Sequence, residues 1–179
     1  ACTAANVVAM NTPGQNSNAV AELAFGMMVY GARGGFDGKA GSELMGKTLG
    51  LHAFGAVGRC MARIASGFGM KVCAFDPFID GKIIEEAGVT PVATIEDLYS
   101  GCQYVSLHIP ANEQTKGSIG EKLLSLMPQG AVLINTARKE VINEAELVAM
   151  MEKRGDLKYL SDVTPDNAEL FAQKFAGRY

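Results

Sequence analysis

The sequence predicts an α/β fold in which a doubly wound parallel sheet is covered by helices on both faces. Two observations lead there. Short, mostly apolar runs rich in Val, Ile, Leu and Phe at residues 7–10, 48–54, 71–75, 104–109, 131–135 and 158–163 each read as a strand buried on both faces. Between these runs lie stretches with helical spacing and helix start signals, and parallel neighbours in a sheet need crossover helices of this kind.

Taken in order, residues 7–10 read as the first strand, and Ser17 with Asn18 opens a helix over 19–33. The Gly-rich stretch 31–46, with Asp37, Gly38, Lys39 and Gly41, reads as an exposed loop leading to the strand 48–54. A helix over 57–68 ends at Gly69, and the strand 71–75 follows. Thr94 with Asp97 three residues later has capping-box spacing before a helix over 95–100, and Asn143 with Glu146 repeats it before 147–153. The mixed charges of 140–153 read as a solvated helix face.

The 179 residues fit one domain, spanning 1–179, and 48% hydrophobic with 20% charged residues excludes a disordered chain. Sixteen Lys plus Arg against nineteen Asp plus Glu give a net charge of −3, so no basic footprint for nucleic acid or an anionic membrane is present. Cys2, Cys60, Cys73 and Cys102 are scattered without a C-x-x-C pair, and with two histidines they make no metal site; the thiols read as small core residues of a cytoplasmic protein. No run approaches the ~18 apolar residues of a membrane span, and no signal-peptide order is present. The chain starts without Met and is expected to be a piece of a longer one.

Residues 50–58, Gly-Leu-His-Ala-Phe-Gly-Ala-Val-Gly, end a strand and open a helix, giving A-x-G-x-x-G where a dinucleotide fingerprint has G-x-G-x-x-G. Gly55 would let backbone approach a pyrophosphate, Gly58 would let helix pack on strand, and Ala56 and Val57 would offer N–H groups and a positive dipole end to the phosphates. Ala53, in the first glycine position, is expected to stay right-handed or extended, which would alter the turn. Asp76 lies 18 residues after Gly58 at the end of the next apolar run, where an acid accepts the adenosine ribose hydroxyls and repels a 2′-phosphate. The implied cofactor is NAD, not NADP; before Pro77, Asp76 also reads as a plain turn residue. His52 reads as a packed histidine. His108, at a strand end before Pro110, reads either as packing or as ligand-facing, and Met27 and Met28 read as core or interface filler.

Several segments together resemble the nucleotide-binding domain of the D-2-hydroxyacid dehydrogenases: Asn11-Thr12-Pro13-Gly14-Gln15-Asn16 running into Ala19-Val20-Ala21-Glu22, Gly46-Lys47-Thr48-Leu49-Gly50, Phe75-Asp76-Pro77, Ser106-Leu107-His108-Ile109-Pro110 with Thr115, Ile134-Asn135-Thr136-Ala137-Arg138, and Asp162-Val163. The resemblance implies a Rossmann-like NAD-binding domain in which Ala56 and Val57 meet the pyrophosphate, Asp76 the ribose, and Ile109 with Pro110 the adenine side. Thr136, Ala137 and Asp162 would line the nicotinamide, and Arg138 would grip a 2-oxo acid as the catalytic arginine, a role its planar fork suits. It further implies a small 2-hydroxy/2-oxo acid substrate, phosphorylated as in the members acting on 3-phosphoglycerate at the entry to serine synthesis, and a homodimer paired through the helix over 19–33. Glyoxylate, hydroxypyruvate and lactate dehydrogenases share the pattern, and a non-catalytic NAD-sensing corepressor is the alternative of another class.

Two departures stand out. Arg138-Lys139-Glu140, where most relatives have Arg-Gly-Glu, resembles the shorter members; the departures are that the glutamate following Asp-Val by five residues is Asn167 here, with Asp166 beside it, and that the family's acid/base is not found within residues 1–179. Either Asp166 substitutes or the relay differs. The family's acid/base and most of its substrate domain are expected outside residues 1–179.

Overall fold

The computed structural model describes residues 2–179. Its elements are α1 (Ser17–Ala32), β1 (Thr48–His52), α2 (Ala56–Gly67), β2 (Lys71–Phe75), α3 (Gly81–Glu86), β3 (Thr90–Pro91), α4 (Ile95–Gly101), β4 (Tyr104–Leu107), α5 (Glu121–Leu124), β5 (Val132–Asn135), α6 (Glu144–Lys153), β6 (Lys158–Ser161) and α7 (Ala168–Lys174), with short 3-10 turns at Thr3–Ala5, Gly34–Phe36 and Lys139–Val141. The strands form one sheet in the order β3-β2-β1-β4-β5-β6, every pair parallel. This is the doubly wound architecture expected from the alternation of strands and helices. The chain reverses direction across the sheet between β1 and β4, and ligands of such folds bind where the strand carboxyl ends diverge at that point.

The predominantly apolar strands are explained by two core layers. On one face Leu49, Leu51, Ala74 and Ile134 pack against Ala21, Ala24, Phe25 and Met28 of α1 and Met61, Ala62 and Ala65 of α2. On the other, Val105, Leu107, Leu133 and Tyr159 meet Leu98 and Tyr99 of α4, Leu147, Met150 and Met151 of α6 and Phe171 of α7. Met28 lies in the first layer, while Met27 is half-buried at its rim.

The caps follow the sequence closely. Thr94 Oγ1 accepts from the Asp97 N–H at 3.1 Å and the Asp97 carboxylate accepts from the Thr94 N–H at 3.2 Å, closing the reciprocal box. At α6 only half of it forms: Asn143 Oδ1 accepts from the Glu146 N–H at 3.3 Å, but Glu146 Oε2 accepts instead from the Glu121 N–H at 2.7 Å. Asn143 thus caps α6, while the Glu146 carboxylate serves the start of the neighbouring α5.

The strand expected over residues 7–10 does not form. This stretch pairs with nothing in the sheet, and Val8 and Met10 are 84% and 91% exposed. Apolar composition makes a strand only where a neighbouring ladder offers hydrogen bonds and a core face offers burial. Helix α3 and the two-residue β3 carry too little periodic signal to be read from sequence; Pro91 fits β3 because this strand forms the sheet edge. Among the described residues, no helix is long and apolar enough to cross a membrane.

Candidate cofactor cleft

The turn from β1 into α2 takes the backbone course of a glycine-rich turn despite its alanine. Ala53 adopts φ +87°, a region that L residues enter only against Cβ sterics. The expectation that Ala53 would stay right-handed or extended is overturned: its N–H donates to the Phe75 carbonyl at 2.9 Å, and the crossing from β1 into α2 holds the backbone there. Gly58 is required by close approach, since a Cβ on it would lie 2.6 Å from the Ala53 oxygen. Above Gly55 a Cβ would meet nothing within 4 Å, so the outer side of the turn is open to a ligand. Gly55 caps α2 without a side-chain acceptor, leaving the first N–H groups of the helix, at Ala56 and Val57, to be satisfied by an anion or water.

Asp76 is not among the residues lining the cleft at the carboxyl edge of the sheet; its carboxylate serves the turn. Its Oδ2 accepts from the Phe54 N–H at 2.9 Å, and its Oδ1 accepts from the Phe78 N–H at 2.9 Å. The turn role leaves acceptor capacity free for a further donor, because a carboxylate has about four acceptor positions and only two are used.

At the carboxyl edge of the sheet a cleft of about 620 Å³ is lined by Val57 of α2, by His108, Ile109, Pro110 and Ala111 after β4, and by Thr136, Ala137, Arg138 and Glu140 after β5. Asn16 and Val20, at the start of α1, close it from the side; their segment reaches the turn, since a Cβ on Gly14 would lie 3.7 Å from that of Ala56. His108 Nε2 and Thr136 Oγ1 are buried here without hydrogen-bond partners. Two orphaned polar atoms on one cleft are the mark of a place that a polar ligand completes. Together with the open space over Gly55 and the free helix end, they fit a dinucleotide.

Arg138 stands at the cleft with Nη1 donating to the Ala137 carbonyl at 2.8 Å. Its turn is built by Asn135, which is fully buried at the end of β5. Asn135 Oδ1 accepts from the Ala137 N–H at 3.0 Å, and its Nδ2 donates to the Arg138 carbonyl at 3.1 Å and to the Tyr159 hydroxyl at 3.3 Å. Asn135 drew attention in the sequence only as part of a resemblance; a buried amide in an otherwise apolar strand was the signal for its structural role. Asn16 and Glu140 were likewise missed, because cleft lining from remote segments leaves no local pattern.

Asp162 is not among the cleft-lining residues: it is exposed just beyond β6, beside the strand that carries Arg138. Asp166 forms an ion pair with Lys139 at 2.5 Å, and its N–H donates to Glu144. Asn167 donates both its backbone N–H and its Nδ2 to Glu144 at 2.8 Å. Lys139 and the Asp166-Asn167 pair thus meet each other in space.

His52 is a packed histidine, as expected. Its Nδ1 lies 3.3 Å from the Tyr99 hydroxyl, and burial lowers its pKa to about 4 against an opposing pull from Asp76. Burial, aided by His52, lowers His108 to about 3, so both rings are neutral at ordinary pH.

The chain was compared with known proteins. Residues 26–174 match the family model described as "D-isomer specific 2-hydroxyacid dehydrogenase, NAD binding domain". The chain is 32% identical over 166 residues to D-3-phosphoglycerate dehydrogenase of Methanocaldococcus jannaschii, covering 86% of this chain and 32% of that one. It is 38% identical over 151 residues to hydroxypyruvate reductase of Thermotoga maritima, covering 77% and 48%. Among solved structures, NAD+-bound 3-phosphoglycerate dehydrogenase of Entamoeba histolytica superposes with TM-score 0.89 at 45% identity, covering 99% of this chain and 56% of that one. The chain therefore spans between about a third and a half of the length of these two sequence relatives.

Proposed function

The chain belongs to the D-isomer specific 2-hydroxyacid dehydrogenase family through its NAD-binding domain, and on that premise we propose that it is the cofactor half of an NAD-dependent oxidoreductase interconverting 3-phosphoglycerate and 3-phosphooxypyruvate. The observation that carries the reading is the cleft in which Val57, Ile109, Pro110, Thr136, Ala137 and Arg138 come together with two buried, unpartnered polar atoms. Relatives named for 3-phosphoglycerate favour that substrate over the hydroxypyruvate and glyoxylate that give other relatives their names.

NAD, when bound, supplies the hydride acceptor and donor for the substrate's C2. This chain's residues would hold and orient. Ala56 and Val57, on a turn shaped by Gly55 and Gly58, would direct N–H groups at the pyrophosphate. Asp76 would accept from the adenosine ribose and repel a 2′-phosphate, and Ile109 with Pro110 would cover the adenine. Thr136 and Ala137, small enough to leave room, would border the nicotinamide, with Asp162 at the adjoining strand end. Arg138 would turn from the Ala137 carbonyl to pair with the substrate carboxylate and keto oxygen, stabilising charge on that oxygen during reduction. The exposed α1 residues Leu23 and Tyr30 make that helix the face through which we propose two copies pair.

The test compares kcat/KM of the active enzyme carrying this chain on phosphorylated hydroxypyruvate, plain hydroxypyruvate and glyoxylate. Preference for the phosphorylated acid is expected, and preference for glyoxylate would overturn the substrate assignment. The 179-residue chain alone should bind NADH but turn over no substrate, since one half of a cleft neither excludes water nor fixes the oxo acid.

A further inference from the structure

Two of the four thiols lie together far from any role assigned above. Cys73 sits in β2 and is the in-register neighbour of Gly50 in β1. Cys102 ends α4 and packs onto Gly50 from the helix side: a Cβ built on Gly50 would lie 3.0 Å from Cys102 Sγ and 3.1 Å from its Cβ. The missing side chain at Gly50 is what makes room for a thiol above β1. Adjacent strands are about 4.8 Å apart and in-register residues of parallel neighbours point to the same face, so Cys73 stands beside the space over Gly50 that the Cys102 thiol fills. Both belong to the same core layer, yet their exposure differs. Cys102 is buried, while Cys73 is half-buried and borders an open groove with Lys71, Val72 and Thr90.

We propose that Cys73 and Cys102 are a redox-responsive pair that a small-molecule disulfide oxidises to an intrachain bridge. The asymmetry sets the order of events. The neighbouring Cys102 thiol lowers the pKa of the Cys73 thiol, and the same neighbourhood together with burial raises that of Cys102. Cys73, as thiolate, attacks one sulfur of the oxidant and forms a mixed disulfide, releasing the other sulfur as a thiol. Cys102 then gives up its proton and attacks Cys73 Sγ, forming the Cys73–Cys102 bond and releasing the second thiol. The protein loses two electrons and two protons, and the oxidant is reduced to two thiols. The bridge joins β2 to the α4–β4 connection across β1 and encloses the segment between them, so it stabilises the fold by restricting the unfolded chain.

Neither sulfur lines the cofactor cleft, so the test needs no activity. The reduced chain is incubated with glutathione disulfide, excess reagent is removed, and free thiols, intact mass, peptide linkage and Tm are measured. Expected are two reactive thiols in place of four, a mass loss of two hydrogens, a Cys73–Cys102 linked peptide and a Tm several degrees higher. Cys73→Ser should stop bridge formation and leave Cys102 unmodified, Cys102→Ser should trap the mixed disulfide on Cys73, and Cys60→Ser should bridge normally. Four thiols remaining, a linked peptide through Cys2 or Cys60, or an unchanged or lower Tm on bridging would overturn the proposal. The wild-type linkage map decides even if a serine variant fails to fold.

Discussion

The backbone N–H of Phe54 donates to Asp76 Oδ2 at 2.9 Å, tying the turn after β1 to the end of β2. A carboxylate proposed to select the cofactor therefore also holds the turn proposed to receive its phosphates. Asp76→Ala should weaken NADH binding and narrow the preference for NADH over NADPH. The same change should lower stability by about 1–3 kcal/mol, because the Phe54 and Phe78 N–H groups lose their acceptor. Titration of both reduced cofactors at equal ionic strength, beside urea unfolding, checks this; tighter NADPH binding by the unmodified chain would refute the cofactor role.

Ala53 holds a conformation suited to glycine. Ala53→Gly removes the Cβ conflict at φ +87° but adds unfolded-state entropy. Strain of about 1–2 kcal/mol for an L residue in left-handed backbone outweighs an entropy term of about 0.4–1 kcal/mol, so a gain of about 0.5–1 kcal/mol is expected. Urea midpoints at constant m-value measure it, and a loss of stability would show the turn is not strained.

Arg138, proposed to grip the substrate with its planar fork, stands on a turn built by Asn135. In the active enzyme Arg138→Lys should reduce kcat/KM by about 10²-fold or more with NADH affinity nearly constant, because the charge survives and the paired hydrogen bonds do not. Asn135→Ala should also lower kcat, by loosening the turn, and should cost about 1–3 kcal/mol of stability that Arg138→Lys does not. Wild-type kcat/KM in Arg138→Lys would leave Arg138 a surface residue.

His52 and His108 make stability depend on pH in a defined direction. The unfolded chain protonates both near the ordinary value of 6.5, whereas the folded chain keeps them neutral down to about 4 and about 3. Between those limits the unfolded state binds more protons, so stability is full above about pH 6.5 and falls as pH drops, by about 2.7 kcal/mol per unit at most for two sites. His52→Gln should halve that slope in urea titrations from pH 6.5 to 4.5. An unchanged slope would remove His52 from the account.

The order of strands and helices was legible because burial on both sheet faces and helix caps are local demands: short, mostly apolar runs at β1, β2, β4, β5 and β6, and Thr94 with Asp97 at α4, carry that signal. Much of the cofactor side was legible for the same reason, since Gly55 and Gly58 answer to a turn a few residues long and Asp76 to the length of one strand–helix–strand unit. What only the tertiary structure decided depends on partners distant in the chain. Residues 7–10 have the composition of a strand and no ladder to join. Ala53 takes a positive φ because Phe75 and the packing of α2 hold it there. Asn135 builds the Arg138 turn and reaches across to Tyr159. Lys139 finds Asp166, 27 residues away, and Cys73 finds Cys102 through the gap left by Gly50. Periodicity records which face of an element is buried, but contact between elements is set by packing, which no single segment encodes.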